Sequence, residues 1–300
     1  MTTSPKILIV GNICKDIIYY CDSYPREDTK VKATDRAIRL GGNAGNILQV
    51  LPQFRNNDGS VRAFVKLGSC SYSEEVLEFL KGKLGAGNVF SSVYQGTSLP
   101  ESVLIASTVT GSRTCLHYRG DCPDLTLTDL RQEVSDLVPY AWVHFEFRRN
   151  SGEVVRMIRH VREMGLHVKI SLEVEKVREQ MDEALGLVDY AIVSKEVCRD
   201  LGYRSLEEAL GFLGPKVRRT LIVTWGEKGA GWVEDGVSGV WMAVKLKKGE
   251  IVDSIGAGDT FTAAFIHWSS TGMWVGGAVE KACWAAAQKL KQHGFENLAL

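Results

Sequence analysis

The sequence has no surplus of charge: 36 Lys and Arg stand against 36 Asp and Glu, a formal net charge of zero over 300 residues. Nucleic-acid binders usually carry a basic surplus or stripe, so no nucleic-acid partner is expected. No apolar run approaches the ~18 residues of a membrane-spanning helix, so no membrane partner is expected either. Residues 1–6 lead straight into a strand-like segment and lack the apolar core of a secretory leader. Cysteine is sparse and unpatterned: seven residues, an odd number, with no Cys-x-x-Cys. That argues against a disulfide framework or a structural zinc site and points to a reducing compartment, the cytoplasm. His144, one of six scattered His residues, lies inside an apolar run and reads as a packed side chain rather than a ligand. Neither a Gly-x-x-x-x-Gly-Lys-Ser/Thr loop nor a Gly-x-Gly-x-x-Gly fingerprint occurs. P-loop nucleotide hydrolases and dinucleotide-dependent dehydrogenases are thereby disfavoured.

What is present reads as an α/β chain. Ile7-Leu8-Ile9-Val10, closed by Gly11-Asn12, has the form of a buried strand. Further strands are expected at 61–67, 141–145, 168–172, 190–193 and 220–224, with helices between them at 43–51, 73–83, 152–164, 177–185 and 205–213. Such alternation builds a mostly parallel sheet with both faces covered. Two Ala-rich helices, 259–269 and 275–292, close the chain, with Phe261, Phe265 and Trp268 on a core-facing stripe. Residues 17–40 and 93–117 break the rhythm with extended patterns and turns at 24–28 and 110–112. They read as a small antiparallel sheet inserted in a single domain spanning 1–300. A sheet that small buries too little to stand alone, so it needs the main body or a second copy as cover.

Four places carry candidate chemistry. In Asp253-Ser254-Ile255-Gly256-Ala257-Gly258-Asp259-Thr260-Phe261, two glycines precede a helix. Glycine lets backbone N–H groups converge on a ligand, and a helix start adds unpaired donors and partial positive charge. Together they suit a tetrahedral phosphoryl group. Asp259, in the first turn where the dipole favours its ionised form, is placed to accept a proton from a hydroxyl; the alternative is a simple cap. In Gly41-Gly42-Asn43-Ala44-Gly45-Asn46, the two Asn residues share a helix face. Their amides offer donors and acceptors together, as sugar hydroxyls require, although a glycine turn with an Asn cap has the same composition. Asp16 follows the first strand at the end where open α/β sheets bind ligands. Trp225-Gly226-Glu227-Lys228-Gly229-Ala230-Gly231 reads either as a hairpin or as a glycine-edged groove for adenine or ribose.

The Gly41–Asn46 and Asp253–Phe261 motifs, in this order and at this separation, resemble the two signatures of the ribokinase-like (PfkB) carbohydrate kinases. Within that family, Tyr24-Pro25-Arg26-Glu27-Asp28, Ser171-Leu172-Glu173-Val174-Glu175-Lys176, Val193-Ser194-Lys195-Glu196, Ser205-Leu206-Glu207-Glu208-Ala209-Leu210 and Gly294-Phe295-Glu296 resemble the ketohexokinase (hepatic fructokinase) branch. The resemblance implies a ribokinase-like three-layer α/β/α fold with the inserted sheet as a lid, or β-clasp. It implies ATP-dependent phosphorylation of D-fructose at the C1 hydroxyl to fructose 1-phosphate, with Mg²⁺. A kinase for ribose or adenosine, or a silent sugar binder, is the alternative. It implies Asp259 as base. Asp16, Gly42, Asn43 and Asn46 hold the sugar with it, and Asp28 reaches in from the partner of a homodimer built through the inserted sheets. Arg113 and Lys195 match positions that meet nucleotide phosphates. Gly226, Glu227, Lys228 and Gly229, with Gly256, Ala257 and Gly258, match the nucleotide groove. Many members hold K⁺ near the residue matching Asp253, so K⁺ is expected as an activator. Ser194-Lys195-Glu196-Val197 stands where many members carry Asn-x-x-Glu, so no metal ligand is assigned. Glu146-Phe147-Arg148-Arg149-Asn150 is one residue longer than the Glu-Gly-Arg-Asn turn of ketohexokinases.

Overall fold

A computed structural model describes residues 5–164, 167–247 and 249–300; residues 1–4, part of the segment expected to lack a leader's apolar core, lie outside them. The first strand, β1 (Lys6–Gly11), shows why the run is apolar at every position. Ile7 and Ile9 enter one core and Leu8 and Val10 another, because strand side chains alternate between faces.

The chain continues through β2 (Cys14–Cys21), β3 (Asp35–Gly41), α1 (Asn43–Phe54), β4 (Val61–Gly68), α2 (Ser71–Leu84) and β5 (Val89–Tyr94). Then come β6 (Glu101–Ser107), β7 (Arg113–Tyr118), α3 (Leu127–Glu133), β8 (Tyr140–Glu146), α4 (Ser151–Met164) and β9 (Lys169–Val174). The remainder is α5 (Met181–Leu187), β10 (Tyr190–Ser194), α6 (Lys195–Asp200), α7 (Leu206–Leu213), β11 (Thr220–Thr224), β12 (Ala230–Glu234), β13 (Val237–Trp241), α8 (Ala257–Ser270) and α9 (Val275–Lys289). Nine strands form one sheet in the order β13-β12-β11-β10-β9-β8-β1-β4-β5. It is parallel from β11 to β5, with β12 and β13 antiparallel at one edge. Helices α1, α2, α8 and α9 cover the Ile7 face, and α3, α4, α5 and α7 cover the Leu8 face. This is the three-layer α/β/α architecture expected. No helix among the described residues is long and apolar enough to cross a membrane.

The second sheet has four strands in the order β3-β2-β6-β7, with antiparallel outer pairs and a parallel β2–β6 pair at its centre. Ile18, Tyr20, Leu104 and Ala106 on one face pack with Ile255. On the other face, register places Ile38, Ile17, Val103 and Leu116 in one row across all four strands. Ile38 is 45% exposed and Leu116 62%.

Some details differ from the sequence reading. Val93 and Tyr94 belong to β5, where they pair with Leu67 and Gly68 at the edge of the large sheet. Helix α5 begins at Met181 rather than at 177, because Gln180 takes a left-handed φ of 58° and interrupts the turn. Val31 lies before β3 and is exposed. Helix α3 was not anticipated. Seven residues show no periodicity, and its start is set instead by a capping box between Thr126 and Asp129. His144 is packed, as expected: it is buried with Nδ1 2.8 Å from Ser171 Oγ, and burial pushes its pKa down to about 3.

Candidate active site

Between the two sheets lies a cavity of ≈ 720 Å³. Its walls come from both of them: Asp16 and Ser102 from the small sheet, Glu146 and Glu173 from the large one, Asn43 and Asn46 from α1, and Asp259 from α8. It opens beyond the carboxyl end of β1, which is flanked by β8 and β4, the place where an open parallel sheet binds ligands.

Asp259 sits in the first turn of α8. Gly256, the residue before the helix, has φ 75° and faces Phe295 so closely that a Cβ would lie 2.2 Å from the ring; both facts demand glycine. The Asp259 carboxyl accepts a hydrogen bond from Asn46 Nδ2 at 2.7 Å. Burial, then the charges of Glu175 and Glu146, push its pKa up to about 8, while Asn46 and Arg113 pull the other way. The expectation of a carboxylate kept ionised by the helix dipole therefore needs correcting. A dipole supplies about 0.3–1 kcal/mol, less than one pKa unit, whereas burial moves a carboxyl by several.

The sugar-side residues converge on the same cavity. Asp16 fits because position 41 is glycine: a Cβ there would fall 2.1 Å from the Asp16 carboxyl carbon. Cys14 Sγ donates to Asp16 Oδ1 at 3.1 Å. Burial raises the Asp16 carboxyl, opposed by Cys14, Ser102 and the nearby arginines. Gly42 is the cap of α1. Asn43 and Asn46 share a helix face but serve different carboxylates, for Asn43 Nδ2 donates to Glu173 Oε2 at 3.2 Å. Thr262 Oγ1 holds the other Glu173 oxygen at 3.1 Å.

Several residues here were given no role from sequence. Glu146 joins three segments. It accepts from the backbone N–H of Ala44, from that of Asn12 at 3.3 Å, and from Arg148 Nη1 at 3.0 Å. Burial raises its carboxyl and Arg148 opposes the rise. Glu173, its neighbour across the β8–β9 pair, is raised well above its usual range by burial and by Asp259. Lys66, fully buried, donates to Cys122 O at 3.0 Å and to Asp124 at 3.2 Å. A signal existed for the two glutamates, since each is an acid at or near the carboxyl end of an otherwise apolar parallel strand.

Of the nucleotide-side candidates, Arg113 and Gly256 border the cavity, and the others lie outside its lining. Ser194 and Thr224 pair in register, so Lys195 and the turn holding Gly226, Glu227 and Lys228 leave adjacent strand ends. Lys195 Nζ lies 3.4 Å from Glu227 Oε2, and Gly229 follows before β12. Ala257 and Gly258 open α8, and a Cβ on Gly258 would meet nothing within 4 Å. Arg113 reaches from β7 to the loop before α8, donating to Ser254 O at 2.9 Å and Ser254 Oγ at 3.2 Å. Ser254 Oγ in turn donates to Gly111 O at 2.9 Å, which latches the β6–β7 turn to that loop. Asp28 is exposed and does not border the cavity of its own chain.

Among the described residues, no group of three or more His, Cys, Asp or Glu is arranged to hold a metal by itself. A nucleotide-bound Mg²⁺ needs only one or two protein carboxylates. Glu173, Glu175 and Asp259 border the cavity, so the donor set fits that role. The surroundings of Asp253 do not fit a K⁺ ion. Its Oδ2 already faces Lys289 Nζ at 3.3 Å and Arg39 Nη1 at 3.1 Å, and Oδ1 accepts from the N–H of Ile255 at 2.9 Å.

A three-layer sheet carrying a small second sheet, with the candidate site between them, defines the ribokinase-like class of folds. A solved ribokinase from Giardia lamblia matches with a TM-score of 0.83 over 97% of this chain and 95% of that one, at 14% identity. An adenosine kinase from Sinorhizobium meliloti matches with 0.78 over 97% and 95%, at 19% identity. The sequence model of the pfkB family of carbohydrate kinases matches residues 4–299, and the chain belongs to that family. Mouse ketohexokinase is 32% identical over 98% of this chain and 98% of its own.

Proposed function

We propose that the chain transfers the γ-phosphoryl group of ATP to the C1 hydroxyl of D-fructose, giving fructose 1-phosphate and ADP. The observation that carries the reading is Asp259: a buried carboxyl at a glycine-led helix start, bonded to Asn46 and bordering a cavity that also takes in Asp16 and Asn43. In this mechanism Asp16, Asn43 and Asn46 orient the sugar hydroxyls, with Gly42 leaving backbone room beside them. Ionised Asp259 takes the proton of the C1 hydroxyl as its oxygen bonds to the γ-phosphorus and the bond to the β–γ bridging oxygen breaks. Backbone N–H groups at Gly256, Ala257 and Gly258 face the oxygens where charge spreads. Arg113 steadies the loop they belong to, and Lys195 with the 226–229 turn borders the nucleotide. Mg²⁺ supplies charge neutralisation on the phosphates when bound, and Glu173 and Glu175 are the carboxylates that would hold it.

The choice of a ketohexose rests on the 32% identity to mouse ketohexokinase. The row Ile38–Ile17–Val103–Leu116 supports a homodimer through the small sheets, since an apolar sheet face of this kind calls for a cover. Asp28 then reaches the partner's cavity. Seven free cysteines are in keeping with the cytoplasm. Fructose, ribose and adenosine incubated in parallel with ATP and followed by ³¹P and ¹³C NMR test the reading. A phosphomonoester coupled to C1 of fructose is expected. Product from ribose or adenosine alone replaces the acceptor, and binding without any turnover replaces the enzyme by a silent sugar binder.

A further inference from the structure

The end of α9 holds a positive charge in an oxygen cage. Lys289 is fully buried. Its Nζ donates to Asp253 O at 3.1 Å and to Gln292 O at 3.2 Å, and lies 3.3 Å from Asp253 Oδ2. An ammonium has three N–H donors, and these three oxygens take all of them. The Phe295 ring adds a cation–π face 5.5 Å from Nζ. A buried charge is costly unless paired and hydrogen-bonded, and here it is both.

The cage is also the anchor of the loop before α8. Asp253 receives the N–H of Ile255 at 2.9 Å and of Gly294 at 3.3 Å. Val252 donates its N–H to Leu290 O at 2.7 Å. Phe295, beneath the ammonium, is the ring that presses on Gly256. Arg39, at 3.1 Å, and His293, with Nδ1 at 3.9 Å, face the same Asp253 oxygen from outside. A carboxylate and two carbonyls around one unit charge is the donor chemistry that carbonyl-lined sites offer a dehydrated K⁺.

We propose that the Lys289 ammonium is a built-in monovalent cation. It fills the place beside Asp253 where K⁺ was expected and sets the shape of the 253–258 loop without added potassium. Lys289 is thus a positioning residue, acting through Asp253 and Phe295 on the backbone that would meet the phosphoryl group; that last clause rests on the function proposed above.

The test compares KCl with tetramethylammonium chloride at matched ionic strength. Wild-type turnover is expected to agree within about twofold, and melting of the ligand-free protein to show no K⁺-specific rise, since the ammonium already fills the cage. Lys289→Ala empties the cage. Its kcat/KM for ATP is expected to fall about 100-fold through a misplaced loop. K⁺, and not tetramethylammonium, should then raise its melting temperature and restore part of the rate. Lys289→Met, which keeps the stem and removes the charge, is expected to lose activity without K⁺ rescue. Potassium activation of the wild type beyond twofold, or a K⁺-specific rise in its melting temperature, overturns the proposal and needs no variant to fold. So does a folded Lys289→Ala that keeps its ATP kinetics, or that K⁺ neither stabilises nor reactivates. The melting arms contain neither sugar nor ATP, so they decide the cation question even if fructose proves the wrong acceptor.

Discussion

The two sheets solve the same problem in different ways. The large one hides both faces under helices of its own chain, so every position of β1 after Lys6 is buried. The small one has a single face packed, on Ile255, and presents a four-residue aliphatic row on the other. The first is a framework whose stability is internal. The second is held at its turn by the Arg113–Ser254–Gly111 latch, and its other face leaves Ile38 and Leu116 exposed among the described residues. The polar residues gather at the seam: Asp16, Glu146, Glu173 and Asp259 are all buried there. Burying four carboxyls works against folding, which marks the seam as the place where stability yields to chemistry.

The largest expected effect falls on that seam. Asp259→Asn keeps the shape and the contact with Asn46 but removes the proton acceptor. Turnover is expected to fall by about 10²–10⁴-fold, the usual contribution of a general base, while fructose and ATP still bind by calorimetry. Retention of most of the wild-type kcat would reduce Asp259 to a helix cap.

Next in size is a contrast between the sheets themselves. Leu8→Ala in the framework opens a cavity among fully buried neighbours and should cost about 2–5 kcal/mol in urea unfolding. Leu116→Ala, on the open face, should cost less than about 0.5 kcal/mol at dilutions where the chain is monomeric. If its cost grows with protein concentration, the face is covered by a second copy. If both variants cost the same at every concentration, the distinction between the sheets collapses.

Asp28 extends the contrast to function. Hydrogen bonds from charged groups contribute about 1.5–3 kcal/mol, so Asp28→Ala should lower kcat/KM for the sugar by roughly 10- to 100-fold. Refolding Asp28→Ala together with Asp259→Asn creates mixed dimers in which one site has both intact residues. Activity is expected to reappear in that mixture. Proven heterodimers without recovery would confine Asp28 to its own exposed turn.

The framework was legible because its signals are local. Fully apolar runs such as Ile7–Val10 and the long helical patterns between them survive without knowledge of the partner elements. Helix α3 and the start of α5 were not legible, since a capping box and one left-handed residue decide them. At the site, both glycine motifs could be read in line. What could not be read was distance: Glu146 reaches back to Asn12 and Ala44 across more than 100 positions, and Lys289 reaches Asp253 across 36. The ionisation of Asp259 was misjudged for a related reason. Its helix start is visible in the sequence, but the burial and the neighbouring acids that outweigh the dipole belong to the assembled seam.

That misjudgement gives the smallest and sharpest test. With its pKa near 8, Asp259 is protonated over much of the neutral range, and only the ionised form accepts a proton. The acid limb of kcat/KM should therefore fall about tenfold for each pH unit below that value. Glu175, bordering the same cavity, contributes to the rise through its charge. Glu175→Gln removes that charge, which favours the ionised base and moves the limb to lower pH. The ratio of the rate at pH 6.5 to that at pH 8.5 should rise by roughly two- to tenfold, measured at saturating Mg²⁺ so that a weaker hold on the metal does not enter. Stability carries the opposite sign. A carboxyl raised from about 3.8 in the unfolded chain to about 8 in the fold favours folding while protonated, and that advantage is lost as pH rises between the two values. Wild-type melting should decline between pH 5 and 9 relative to Asp259→Asn, which has no proton to lose. A limb that ignores Glu175→Gln, together with parallel melting curves for the wild type and Asp259→Asn, would show that Asp259 ionises as freely as an exposed acid and that the seam does not tune it.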